Sequence, residues 1–215
     1  MPNQTDLLNI ALGNIGARRV SAIDDGTENA NQCLTFYPSI LEGALRSHHW
    51  NFATGRAQLA LLPDAPLFDY AYAYALPSDF VKLRQYYDAY VLPSVLTWDY
   101  GDFNYTKHLG MFRIETYVPP GSTGPPIKIL VSRGTNAHVV YTRRIENPDL
   151  WDGQFFWYVA KWLAAELAKA IPKDTKRAAE LMQEANYHLL MAAAVDGQEQ
   201  SVEAFAVPEL LWGRW

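Results

Sequence analysis

From Asn147 to Ala170 the chain carries two apolar helical stripes at once. Trp151, Phe155, Tyr158 and Trp162 fall on one, and Phe156, Val159, Leu163 and Leu167 on the other. A helix apolar over so much of its circumference must be buried on most sides, so other elements have to surround it. Asn147-Pro148-Asp149 predicts its start: Asn is a favoured cap, Pro suits the first turn, and Asp complements the helix dipole. Pro172 predicts its end, for a length of roughly 34 Å.

Three further helical patterns can supply the surrounding layer. Leu7, Leu8, Ala11, Leu12 and Ile15 recur on one face of a helix over residues 5–16, closed by Gly13 and Gly16. A second helix follows the turn Asp24-Asp25-Gly26-Thr27-Glu28, capped by Asp25, with Glu28 completing a capping box, or by Thr27. It carries Ala30, Cys33, Leu34, Tyr37, Leu41, Ala44 and Leu45 on one side. Pro38 lies inside it and predicts a kink, because a mid-helix proline removes a backbone donor. Trp50 and Phe52 are placed as aromatic anchors where this helix leaves the body. Asp174 caps a fourth helix with Ala178, Leu181, Met182, Ala185, Leu189 and Ala193 inward, ending near Gly197.

The middle of the chain has a different character. Between Pro63 and Glu146, prolines and glycines separate short runs of β-branched and aromatic residues. Phe112–Val118, Ile127–Ser132 and His138–Arg143 read as strands, Pro119–Pro126 as a loop between two of them, and Gly134-Thr135-Asn136 as a hairpin turn. The expected fold class is α+β: a four-helix body from both chain ends, with a β-rich insertion between the second and third long helices. The expected segments are 1–62 and 147–197 for the two helical halves, 63–146 for the insertion, and 198–215 for a docking tail.

That tail ends Phe205-Ala206-Val207-Pro208-Glu209-Leu210-Leu211-Trp212-Gly213-Arg214-Trp215. It is too short, and too broken by Pro208 and Gly213, to form a core. Burying Leu210, Leu211 or Trp212 would each yield roughly 1.5–3 kcal/mol. The burial can come from a partner or from the protein's own helices; the expectation adopted is a partner.

Little in the sequence suggests chemistry. With 18 basic and 23 acidic side chains the net charge is −5, and neither a basic balance nor a basic stripe is present to grip phosphates. The single cysteine, Cys33, allows no intrachain disulfide and no cysteine zinc site, and it reads as a small core residue. No run reaches the roughly 18 apolar residues of a membrane span, no secretory signal pattern opens the chain, and no membrane anchor is expected. Gly13-Asn14-Ile15-Gly16 lacks the strand and lysine of a phosphate loop. His48 and His49 point to different faces of a helix, and no pair of histidines has ligand spacing, so no metal and no cofactor is expected. Asp79, Asp88, Asp99 and Asp102 lie among Tyr86, Tyr87, Tyr90, Trp98, Tyr100, Phe103 and Tyr105. Such a set suits either a glycoside hydrolase's paired acids or an aromatic protein interface. The interface reading is preferred, and a polysaccharide or cell-wall hydrolase is the alternative.

Several motifs together resemble one family. They are Leu8-Asn9-Ile10-Ala11-Leu12-Gly13-Asn14-Ile15-Gly16, Arg19-Val20, Asp24-Asp25-Gly26-Thr27, Ala30, Tyr37, and Leu45-Arg46-Ser47-His48-His49-Trp50-Asn51-Phe52-Ala53. Arg56-Ala57-Gln58-Leu59-Ala60 and Tyr74-Ala75-Leu76-Pro77-Ser78-Asp79 continue the series. The set is similar to the head-to-tail adaptors of short-tailed bacteriophages, the tail tubular protein A family; Pro38 is a departure from the pattern. The resemblance implies a non-enzymatic virion protein of the phage neck, made in the host cytoplasm. It implies a ring, usually of twelve copies, between the portal and the tail nozzle, with double-stranded DNA passing through without sequence-specific binding. Within that frame Phe205, Val207, Leu210, Leu211, Trp212 and Trp215 are expected to meet the portal. Tyr86, Tyr87, Tyr90, Trp98, Tyr100 and Phe103 are expected to meet the nozzle or the tail fibres. Trp50, Phe52, Trp151, Phe155, Tyr158 and Trp162 are expected in the core of the helical body.

Overall fold

The computed structural model describes residues 3–64, 66, 68–87, 112–118 and 124–199. Among these residues the fold is mixed α+β, with four α-helices and two antiparallel sheets. Helices α1 (Gln4–Asn14) and α2 (Glu28–Ser47) precede the strands, and α3 (Gly153–Ala170) and α4 (Thr175–Gln198) follow them.

Local chemistry sets the helix ends. Asn3 and Asp6 form a capping box on α1. The helix closes when Gly16 adopts a positive φ of 69°. The Ala17 N–H then reaches the Leu12 carbonyl and the Gly16 N–H that of Gly13, the paired pattern of a glycine-terminated helix. Thr27, not Asp25, caps α2, its hydroxyl accepting the Ala30 N–H. Asp25 instead organises the preceding loop, accepting the N–H and O–H groups of both Ser21 and Thr27. Those bonds, led by the Thr27 hydroxyl, hold its carboxyl well below the usual carboxylate range. α2 runs on through Pro38, which is exposed.

The start of α3 corrects the sequence expectation. Asn147 caps a separate 3₁₀ turn, Pro148–Leu150. The helix begins at Gly153, with Asp152 accepting the N–H groups of Gln154 and Phe155. Asn147-Pro148-Asp149 and Asp152-Gly153 are both valid starts, and Trp151 decides between them. It turns inward, donating its indole N–H to the Ile145 carbonyl, which holds the chain extended before the helix can start.

Seven strands make the sheets. β1 (Thr54–Gln58), β7 (His138–Arg143) and β4 (Phe80–Tyr87) form one, in the order β1-β7-β4. β2 (Ala60–Leu61), β3 (Tyr72–Ala75), β6 (Ile127–Ser132) and β5 (Phe112–Tyr117) form the other, in the order β2-β3-β6-β5. β5 and β6 are consecutive strands that pair antiparallel from Phe112 opposite Ser132 to Tyr117 opposite Ile127; residues 119–123 between them lie outside the described residues. The turn at Gly134–Asn136 does not join paired strands: it hands the chain from β6 in one sheet to β7 in the other, with Asn136 at φ 61°. The sequence does not announce β1 to β4, and two of these strands, β1 and β2, fall within residues 1–62, the segment assigned to the N-terminal helical half.

The main core draws on all four helices: Leu7, Leu8, Leu12, Leu41, Leu45, Phe155, Leu163, Leu167 and Leu181 are among its fully buried side chains. α3 is central to it, packing on α1, α2 and α4, as its double apolar stripe requires. A smaller cluster around Leu59, Tyr74, Leu130, Val139 and Tyr141 lies between the sheets. Gly55 and Tyr141 face each other across β1 and β7. A Cβ on Gly55 would lie 2.6 Å from the Tyr141 ring, so only glycine lets that ring lie flat on the strand.

Candidate functional site

A set of buried and part-buried polar groups meets where α2 ends, β1 begins and α4 finishes. After α2 the chain turns at His48, and Trp50 inserts fully buried, donating its indole N–H to the Ala44 carbonyl. Trp50 packs edge-on against Phe155, and Phe52 packs on the same ring. The 3₁₀ turn Asn51–Ala53 then presents Asn51 to α4. The Asn51 N–H donates to Asp196 Oδ1 at 2.7 Å, and its side-chain amide donates to the Asp196 carbonyl at 2.8 Å. Asp196 Oδ2 lies 3.3 Å from His48 Nε2. That carboxylate is only 5% exposed.

Arg84 of β4 completes the junction. It donates to the Trp50 carbonyl, to the Thr54 hydroxyl and to the Thr142 hydroxyl, at 2.7, 2.8 and 2.9 Å. Burial lowers its pKa, an effect opposed by the charge of Asp196. One guanidinium therefore ties the end of α2 to two strands. The arrangement fastens the end of α2, the strands β1, β4 and β7, and the end of α4 to one another. Nothing in the sequence marked Arg84 or Asp196, since their partners lie 34 and 145 residues away.

The other motifs are fasteners too. Asn9 bridges α1 to the following loop, accepting the Val20 N–H and donating to the Val20 carbonyl. Asn14 accepts from Lys161 Nζ at 2.7 Å and its carbonyl accepts from Arg177, so α1 is tied to α3 and α4. Lys161 pairs with Glu184 at 2.6 Å, which lowers the Glu184 pKa. Asp79, a candidate acid at the sequence level, accepts the Tyr141 hydroxyl at 3.0 Å and lies 3.9 Å from Arg143. Asp88, Asp99 and Asp102 lie outside the described residues.

Trp50, Phe155, Trp151 and Tyr158 are buried, and Phe52 and Trp162 are partly buried against the same core. Trp162 stacks on Tyr158 and rests on Gly43 of α2, where a Cβ would lie 2.8 Å from the indole edge. Tyr86 and Tyr87, read as part of an aromatic loop, instead end strand β4. The Tyr86 ring packs on Phe112 and its hydroxyl shares a hydrogen bond with Ser132 at 2.5 Å, while the Tyr87 hydroxyl donates to Gln85. Tyr90, Trp98, Tyr100 and Phe103 lie outside the described residues, as do Phe205, Val207, Leu210, Leu211, Trp212 and Trp215.

An open cleft of about 580 Å³ lies beside the junction, lined by Arg46, Lys82, Arg84 and Lys128 with Phe112 and Glu115. Arg46 donates to the Val81 carbonyl and Lys82 to the Arg46 carbonyl, so these two cations serve the α2–β4 contact. Among the described residues no three His, Cys, Asp or Glu side chains are grouped to hold a metal ion. No helix among them is long and apolar enough to cross a membrane.

The chain was compared with family models and with curated proteins, and it matches none.

Proposed function

We propose that this protein is a structural subunit of a head-to-tail connector, a ring that joins the portal of a phage capsid to the tail nozzle and surrounds the path of the DNA. The supporting observation is how the residues of the resembling motifs are used. Asn9, Asn14, Gly16, Trp50, Asn51 and Asp79 hold chain ends, helix ends and strands to one another. None of them lines the cleft beside the junction. A protein whose most recognisable residues are internal fasteners suits a load-bearing role.

In this reading the four helices form the ring wall, contributed by both chain ends, and the strands form an insertion projecting from it. The insertion, with the segment that continues from Tyr86 and Tyr87 through Tyr90, Trp98, Tyr100 and Phe103, meets the nozzle or fibres. The segment 198–215 reaches the portal. The subunit's negative charge repels DNA phosphates, so the genome slides past a wall that does not grip it. The test is to mix the purified protein with purified portal rings and image the product. Rings capped by an added layer of this protein support the proposal. Portal rings left bare at micromolar concentrations of both overturn it.

A further inference from the structure

The outer face of the C-terminal half of α4 is apolar where a surface helix ordinarily carries charge. Leu190 is 70% exposed, Tyr187 61%, and Met191 40%. Trp157 of α3, 40% exposed, extends the patch by stacking on His188, whose ring also meets Tyr187 edge-on. From Ala185 to Val195 the helix has no Asp, Glu, Lys or Arg. Its inner face, at Ala185, Ala192 and Asp196, is already buried against the body. A helix apolar on both faces calls for a cover on the second.

The chain itself carries a matching segment at the right distance. Asp196, held by Asn51, fixes where α4 ends, and Gln198, its last residue, follows Ala194 by four positions on the exposed face. Leu190 lies eight residues before that end, ~12 Å back along the helix. The six residues 199–204 span up to ~20 Å when extended, enough for the chain to reverse. Beyond them come Phe205, Val207, Leu210, Leu211 and Trp212. A linker this short gives the segment an effective concentration on the order of millimolar at α4, well above that of a second copy in micromolar solution.

We propose that residues 205–212 of the free subunit fold back onto the outer face of α4, covering Tyr187, Leu190, Met191 and Trp157. The inference does not rest on the connector reading and concerns the isolated subunit. Amide hydrogen exchange read by mass spectrometry tests it, on the full chain, beside sedimentation velocity at the same concentration. The expected result is a monomer in which 205–212 exchanges at least tenfold slower than an unstructured chain. That protection is lost in Leu190→Glu, and in Tyr187→Ser as an independent variant; both changes are at exposed positions. Unprotected exchange in the wild type overturns the proposal. So does protection that survives both substitutions, which would put the segment elsewhere. Protection that appears only as dimers form also overturns it, since the cover is then a second copy.

Discussion

Asp196 and Asn51 are joined by two hydrogen bonds across 145 residues of sequence, at 2.7 and 2.8 Å. The pair fixes the last turn of α4 to the turn that leads from α2 into β1. Because the carboxylate is buried, its removal leaves the Asn51 N–H without that acceptor and Arg84 without the nearby charge that offsets its burial. Asp196→Ala is expected to destabilise the protein by about 3 kcal/mol, read from the urea midpoint at unchanged slope. A loss under about 1 kcal/mol would mean the junction is not a fastening point.

Gly43 gives Trp162 its resting place. Gly43→Ala forces the indole off α2 and is expected to cost about 1–3 kcal/mol, as overpacking does. Trp162→Ala is expected to cost about 3–5 kcal/mol. Combined, the two changes should cost less than their sum, since the alanine meets no ring once the indole is gone. Thermal or urea unfolding of the three variants checks this, and strict additivity would contradict the contact.

Cys33 is fully buried in the helical core, and burial raises its thiol pKa to about 11. At pH 8 almost none of it is the reactive thiolate. A thiol reagent should label native protein only at the rate of unfolding, and denatured protein at once. Rapid labelling of native protein would show that α2 opens.

His188 is held below its ordinary pKa, first by burial and then by Lys161, with Glu184 opposing. The unfolded chain takes up a proton on this ring near the usual value of about 6.5, and the folded chain only at lower pH. The unfolded state therefore binds more protons in that window, and stability should fall as pH drops below about 6.5. His188→Gln should reduce this pH dependence, measured by urea unfolding at pH 7.5 and 5.5. An unaltered dependence would remove His188 from the account.

The helices were legible because their periodicity is local. α3 in particular is so apolar that its central place could be read from Trp151–Ala170 alone. Its first turn was not legible, because two capping sequences lie five residues apart and the choice depends on where Trp151 is buried. Strands β5, β6 and β7 show runs of β-branched residues, but β1 and β4 mix in Gly55, Arg56, Lys82 and Arg84. These hold their places through partners in β7 and in α2, which periodicity does not register. Tyr86 reads as part of a loop for the same reason: its place in β4 and its contact with Phe112 depend on register. The junction was half legible. His48 to Ala53 stands out as a motif, while nothing in the sequence marks Arg84 or Asp196.

The proposed role is a place in a particle. Cryo-electron microscopy of purified virions, with the protein located by a fused tag or a bound antibody fragment, tests it most directly. A connector subunit gives a ring of label between the portal and the nozzle, with the DNA path through its centre. Label confined to fibre tips or absent from intact particles would contradict it.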